Sequence, residues 1–445
     1  MPVPPVPVPE LRGLTPFGNL LHFMSDPAGF IDRCAALGDV VRLRLPGESP
    51  VVLRHPDLIE QVLVAQNRSF IKDRLTRGLA EVVGNGILVS DGELWRRQRR
   101  MVQPGFHRER LARHAEGMVA AASRATATWR EGQVLDLHAA LMNLAREVVA
   151  TTLFSSEVGR AAEDVGDMLE VLMARYSDWR YALVPGLKRL PLPANRRFEA
   201  ARARLFALID GVIAERRRGG EDRGDLLSLL LQARDEDGAP MRDVQLRDEV
   251  LILFMAGHET TALALSWAFV LLSRRPGAWA RLGAEVDLLL GGRPATAADA
   301  PRLRYTEGVI LEAMRLYPPA WSIGREAIED VEVGGVTLTR GTQVWMFQYG
   351  SHRDGRFFAR PLAFEFERWE GDLLRTLPRC AYFPFGGGPR LCIGTNFAML
   401  EAVLLLATIA QRWRPQVAPR DQPSPQFSIT LRPRGGVRAT LHRRQ

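Results

Sequence analysis

The chain has 445 residues, 46% apolar and 25% charged, which is enough to bury a large core in two or three domains or in one large cofactor-centred domain. Three cysteines, Cys34, Cys380 and Cys392, are too few and odd in number for a disulfide framework, and no Cys-x-x-Cys pairing points to structural zinc. The formal charge is +8, yet only Lys72 and Lys188 among the 59 basic residues are lysines, an arginine bias typical of GC-rich coding. With no long basic block and no aromatic stripe, the charge argues against a nucleic-acid partner and remains compatible with an acidic protein partner.

The N-terminal run MPVPPVPVPELRG has neither a basic nor an apolar signal region, and its alternating prolines predict an extended segment over 1–15. Residues 16–445 are read as one domain. Residues 40–54 read as a hairpin around Pro46–Gly47. Helical spacing of apolar residues marks 92–130, 136–154, 196–218, 243–273, 304–316 and 394–412. Between them, 183–195 is a proline-rich connection and 215–224 a charged turn. A second β region spans 331–347, with turns at Gly334–Gly335 and Gly341, and a third spans 427–442. The fold class is therefore mainly α with small β-sheets. The best membrane candidate, 250–272, is interrupted by His258, Glu259, Thr260 and Thr261, so a soluble, cytoplasmic chain with no membrane span is expected.

The stretch FPFGGGPRLCIG, 383–394, raises a question of chemistry. A lone cysteine in apolar surroundings is either a buried structural thiol or a thiolate serving as nucleophile or metal ligand. Gly386, Gly387 and Gly388 let the backbone approach a flat object, Pro389 stiffens the loop and Arg390 supplies a positive charge. An apolar helix then opens after Gly394, and its N-terminal N–H groups and dipole favour an anionic sulfur.

The pattern Phe385-x-x-Gly388-x-Arg390-x-Cys392-x-Gly394 resembles the haem-binding loop of the cytochrome P-450 family, the soluble bacterial haem-thiolate monooxygenases. The resemblance runs from about residue 16 to 442. It implies haem b held between a long central helix and the cysteine loop, with Cys392 as the axial ligand, a thiolate that favours O–O cleavage. It implies contacts to haem from Phe385, Gly394 and Ala256, and propionate partners in Arg390, in Trp95 and Arg99 of a Trp-x-x-x-Arg pattern, and in Arg325. His352, in an HRD segment, is a further propionate candidate.

The central segment reads AGHETT, 256–261. Taken alone, its threonines could bond back to carbonyls four residues earlier and bend the helix. The family's oxygen-activation motif is similar, which implies that Thr260 handles oxygen and its water while Glu259 relays protons. Ala256 and Thr260, four apart, share one helix face. Glu312 and Arg315 resemble the family's Glu-x-x-Arg, with Arg368 of FEFERW as third member. Phe366 and Trp369 stand where proline and phenylalanine are common, which leaves that loop's geometry open. These three are expected to be structural, near the haem loop.

The implied activity is dioxygen activation and insertion of one oxygen atom into a C–H or C=C bond of a hydrophobic fatty acid, terpenoid, steroid or polyketide. Pocket candidates are Ile252 and Leu253, then Trp321, Ser322 and Ile323, then Phe427 and Ile429, with the 70–90 loop. Arg74 or Arg77 could anchor a carboxylate. About fifty residues follow Cys392, with no flavin or ferredoxin module, so electrons are expected from a separate ferredoxin with its reductase, or a flavodoxin. Arg96 and Arg100, about 100° round the helix from Arg99, are expected to help dock it. Two rival classes are a peroxide-driven peroxygenase or isomerase and a non-catalytic haem sensor. Peroxygenase members of the family carry Arg–Pro where Glu259–Thr260 stand, and no signalling module is evident.

Overall fold

Alternating apolar residues flank the Pro46–Gly47 turn, and in the computed structural model they form the expected hairpin, Val40–Arg42 antiparallel to Val51–Leu53. The structure describes residues 8–13, 17–155, 159–178 and 180–444, so residues 1–7, 14 and 15 of the proline-rich segment lie outside the described residues. Contacts divide the chain into two units. The first comprises the described residues of Met1–Thr76 with Glu307–Thr395 and Ser424–Arg434, and the second the rest.

The first unit is built on a five-stranded sheet. Val51–Leu53 also pairs in parallel with Gln343–Met346, which pairs with Ile323–Ala327, and that strand pairs with Phe70–Lys72. All three residues of Val51–Leu53 are buried because both faces of the sheet are covered. Strand alternation sorts them: Val51 and Leu53 join a core with Phe70, Met346 and Phe383, while Val52 joins one with Phe30, Trp321 and Phe347. A second hairpin, Val331–Val333 with Val336–Leu338, turns at Gly334 and Gly335 as expected, and Pro425–Phe427 pairs with Leu431–Pro433. The strands Phe70–Lys72 and Ile323–Ala327 carry too few residues to show a period and went unread.

The second unit centres on the helix Asp243–Ser273, which ends just before Pro276. Among the described residues it is the one helix long and apolar enough to cross a membrane, and 78% of its apolar window is buried inside the protein. It packs along Leu137–Phe154 so closely that a Cβ on Gly257 would lie 2.9 Å from Val149 Cγ2. The expected helix over 92–130 is two: Gly92–Val102 and Arg108–Ala127, separated by a 3-10 turn at Gln103–Phe106 where Pro104 cannot continue the α ladder. Helices Gly159–Tyr176 and Pro276–Leu290 are additions to the sequence reading, and a small sheet joins Val134–Asp136, Arg438–Arg443 and Trp413–Gln416.

Candidate functional site

Within the first unit the segment 383–392 closes on itself by backbone bonds. Gly386 N–H donates to the Phe383 carbonyl at 2.9 Å, Leu391 N–H to Gly388 at 3.0 Å and Cys392 N–H to Phe385 at 2.9 Å. Gly388 has φ +66°, and a Cβ there would fall 1.9 Å from the Leu63 carbonyl oxygen, so only glycine fits. Thr395 then opens the helix Thr395–Ala410 and donates its hydroxyl to the Cys392 carbonyl at 2.8 Å. Cys392 is exposed, whereas Cys34 and Cys380 are buried, and burial pushes their thiols up to about 12 and about 11. Of the three sulfurs, only Cys392 is accessible to a metal.

Behind the loop lies a saturated carboxylate. Glu312 and Arg315 are completely buried, one turn apart on the helix Arg304–Leu316. Glu312 Oε1 accepts from Arg315 Nη2 at 2.8 Å, Arg368 Nε at 3.1 Å and the Glu365 N–H at 2.9 Å. Glu312 Oε2 accepts from Arg315 Nε at 2.8 Å and Trp369 Nε1 at 2.9 Å. The tryptophan that departs from the family pattern therefore fixes the loop, a role the sequence did not reveal. Arg315 also donates to the carbonyls of His352, Pro361 and Ala363.

His352 differs from its expected place. It is completely buried, and its Nε2 accepts the Phe383 N–H at 2.9 Å, which commits the ring to the backbone and removes it from the propionate candidates. Arg325 is buried in the sheet, opposite Lys72 on one side and Val344 on the other. Arg390 is half-buried in the 3-10 turn Gly388–Arg390. Trp321 is buried, stacked on Phe347, edge-on to Phe427 at 5.0 Å, with its Nε1 donating to the Ser428 carbonyl at 2.7 Å. Ser322 is exposed, and Ile323 and Ile429 are half-buried. A Cβ at Gly386 would lie 3.4 Å from Ile323 Cδ1, so Ile323 stands beside the cysteine loop. Arg74 pairs with Glu48 and Glu326, both at 3.3 Å, which answers its charge without a substrate carboxylate.

Within the second unit, every residue of the long helix from Asp248 to Ser273 is buried except Ala256, Gly257 and Thr260. Gly257 backs onto Val149, while Ala256 and Thr260 leave one stripe uncovered midway along a rod otherwise packed all round. Thr260 Oγ1 donates to the Ala256 carbonyl at 2.8 Å, so its proton is committed and its lone pairs can receive a donor. Glu259 and His258 are buried beside it. Ile252 and Leu253, a turn earlier, are buried as well. Trp95 and Arg99 are half-buried on one face of Gly92–Val102, and the Arg99 Nε–H donates to Gln103 at 3.4 Å.

Two buried acids of this unit were missed. Glu249 Oε2 accepts the Ile87 N–H at 3.0 Å, beside Asp248, which accepts the Asn85 N–H at 2.8 Å; together they pin the 84–87 loop to the long helix. Glu401 Oε2 accepts Thr261 Oγ1 at 2.8 Å. Burial pushes both glutamates up to about 8. Glu401 is the single charged residue of a mostly apolar helix, a signal that could have found it.

The exposed sulfur, on a loop shaped by obligatory glycine, suits a metal-bearing group. The sequence profile described as cytochrome P450 matches residues 7–437. Cyclooctatin synthase of Streptomyces melanosporofaciens is 42% identical over 429 residues, covering 95% of this chain and 93% of its own length. Pentalenene oxygenase of Streptomyces avermitilis is 37% identical over 406 residues, 90% of each chain. Among solved structures, the haem domain of cytochrome P450DA superposes with a TM-score of 0.90 at 26% identity, over 99% of this chain and 98% of that one. Retinoic acid-bound cyanobacterial CYP120A1 gives 0.88 at 25% identity, over 99% and 100%. The chain belongs to the cytochrome P450 family. It is a monooxygenase whose cofactor is haem b, and it uses dioxygen, electrons from a redox partner and a hydrophobic small-molecule substrate.

Proposed function

We propose that this monooxygenase hydroxylates a cyclic terpenoid, and that Cys392 supplies its axial thiolate. Relatives named cyclooctatin synthase, cyclooctat-9-en-7-ol 5-monooxygenase and pentalenene oxygenase support the substrate class. Cys392 is the one accessible sulfur, and the helix that begins just after it stabilises negative charge at its N-terminus. Arg390, Arg99, Trp95 and Arg325 are assigned to the propionates, and Phe385, Gly394 and Ala256 to apolar contact with the macrocycle.

Haem, when bound, supplies iron for dioxygen activation. The chain's part is to place protons and exclude water. The observation that carries this reading is the uncovered stripe of Ala256 and Thr260 in the stretch from Asp248 to Ser273, where every other residue but Gly257 is buried. Thr260, with its own proton on the Ala256 carbonyl, holds a water by its lone pairs, and Glu259 relays protons to that water. Ile252 and Leu253 offer apolar contact a turn away. Electrons come from a separate ferredoxin or flavodoxin, in the cytoplasm and without a membrane span.

Thr260→Ala should keep its haem and divert reducing equivalents to peroxide; unchanged coupling of electron use to product removes the proton-delivery role. Titration with cyclic terpenoids, fatty acids and steroids, read by the haem spectrum, tests the substrate class. A shift with fatty acids alone counts against the terpenoid.

A further inference from the structure

The entrance to the cysteine loop is held at three atoms. Tyr382 Oη donates to the Leu311 carbonyl at 2.8 Å, on the helix that carries Glu312 and Arg315. The next residue, Phe383, is bonded on both sides of its backbone: its N–H donates to His352 Nε2 at 2.9 Å, and its carbonyl accepts from Gln348 Nε2 at 3.3 Å. Gln348 and His352 are one turn apart, on the short helix Gln348–Ser351 and its C-terminal cap, and both are completely buried.

Phe383 matters because it leads directly into the cysteine loop. Its carbonyl also receives the Gly386 N–H, and the Phe385 carbonyl, two residues on, receives the Cys392 N–H. A displacement of Phe383 is therefore passed to the cysteine through two short backbone bonds. His352 is itself anchored, since Arg315 donates to its carbonyl at 2.9 Å, and its ring lies edge-on to Phe383 at 5.2 Å and beside Tyr382 at 5.0 Å. An imidazole nitrogen accepts an N–H only when neutral, with the ring proton on the other nitrogen. Burial and the Arg315 charge both disfavour the cation here, outweighing the Met314 backbone, which acts in the opposite sense.

We propose that His352 and Gln348 form a two-point clamp on the Phe383 backbone that sets where the Cys392 sulfur stands, so that His352 is a positioning residue for the thiolate. The inference rests on Cys392 being the axial ligand. His352→Leu removes the acceptor at similar volume, whereas His352→Gln carries an oxygen at the same reach as Nε2.

In full-length holoenzyme, His352→Leu should speed amide exchange in the peptide spanning 381–385 about tenfold, the factor one backbone hydrogen bond of ordinary net strength supplies. It should also hasten loss of the red-shifted carbon monoxide band of thiolate haem at a temperature where far-ultraviolet dichroism is unchanged. His352→Gln should restore both, and Leu43→Ala, a core change in the same unit away from the clamp, should alter neither at matched stability. Unchanged exchange in His352→Leu, or a folded His352→Gln as impaired as His352→Leu, overturns the clamp. If His352→Leu fails to fold, Gln348→Met takes its place: faster exchange in the 381–385 peptide supports the clamp, and unchanged exchange overturns it. A thiolate band that persists in Cys392→Ser would instead overturn the ligand assignment and leave the exchange result standing.

Discussion

Glu312 accepts five hydrogen bonds from three side chains and one backbone group, while a carboxylate offers about four lone-pair sites. Two arginines, a tryptophan and a backbone N–H converge on one carboxylate, so the group is a structural node. Glu312→Gln leaves Arg315 charged and completely buried without its counterion, which should cost roughly 3–5 kcal/mol in a denaturant titration at unchanged slope. Trp369→Phe removes one charge-assisted donor and should cost roughly 1.5–3 kcal/mol. A loss below about 1 kcal/mol in Trp369→Phe would mean that the tryptophan merely fills space.

At the scale of elements, Gly257 sets two effects against each other. A glycine inside a helix costs about 1 kcal/mol relative to alanine, so propensity alone favours Gly257→Ala. The added Cβ would meet Val149 Cγ2 at 2.9 Å, and a β-branched side chain in a helix has little rotamer freedom with which to retreat. Overpacking of this kind costs roughly 1–3 kcal/mol, so the net change should be destabilising, and Gly257→Ala with Val149→Ala should recover part of the loss. A higher melting temperature in Gly257→Ala alone would show the helices separating freely. The same helix shows what the sequence could tell. Its bounds at 243 and 273 come from a long apolar run and Pro276, and AGHETT marks its functional stretch. The partner that makes Gly257 necessary lies more than a hundred residues away, as do the partners of Thr261 and Glu249. The five-stranded sheet was half legible for the same reason. A hairpin announces itself through its turn, but Phe70–Lys72 is a strand only because Ile323–Ala327 lies beside it. The motif around Cys392 was readable because all its residues fall within ten positions. His352 stood out through the HRD segment as a propionate candidate, but its bond to a backbone group leaves no trace in residue type.

For the molecule as a whole, the net charge is +8, and arginines of the Gly92–Val102 helix pair with acids of the same chain. Arg96 pairs with Glu93, Arg97 with Asp235 at 2.7 Å and Arg100 with Glu236. An acidic electron donor that docks on Arg96 and Arg100 must compete with these acids, and exposed pairs are weak enough to open. Arg96→Glu should slow reduction by such a donor and flatten its dependence on ionic strength; an unchanged rate and slope would move the docking face elsewhere. The pH dependence of folding is set by buried groups instead. Glu249 and Glu401, ordinarily at 4.5, are pushed up to about 8, so between those values the folded chain holds two protons that the unfolded chain has released. Stability therefore falls as pH rises through that window. His352 acts in the opposite sense: lowered from 6.5 to about 3, it stays neutral when folded while the unfolded chain binds a proton, so its contribution is lost as pH falls below 6.5. Below 6.5 His352, joined by His114, whose pKa burial also lowers, opposes the two glutamates, and above 6.5 neither histidine does. The unfolding free energy from urea titration should thus change little from about pH 5 to 6.5 and fall more steeply from there to about 8, at up to roughly 3 kcal/mol per pH unit. Replacing both acids by glutamine should abolish the steeper limb and leave the acid-side loss intact. A double variant that retains the full decline above about pH 6.5 would place the titrating groups elsewhere in the chain.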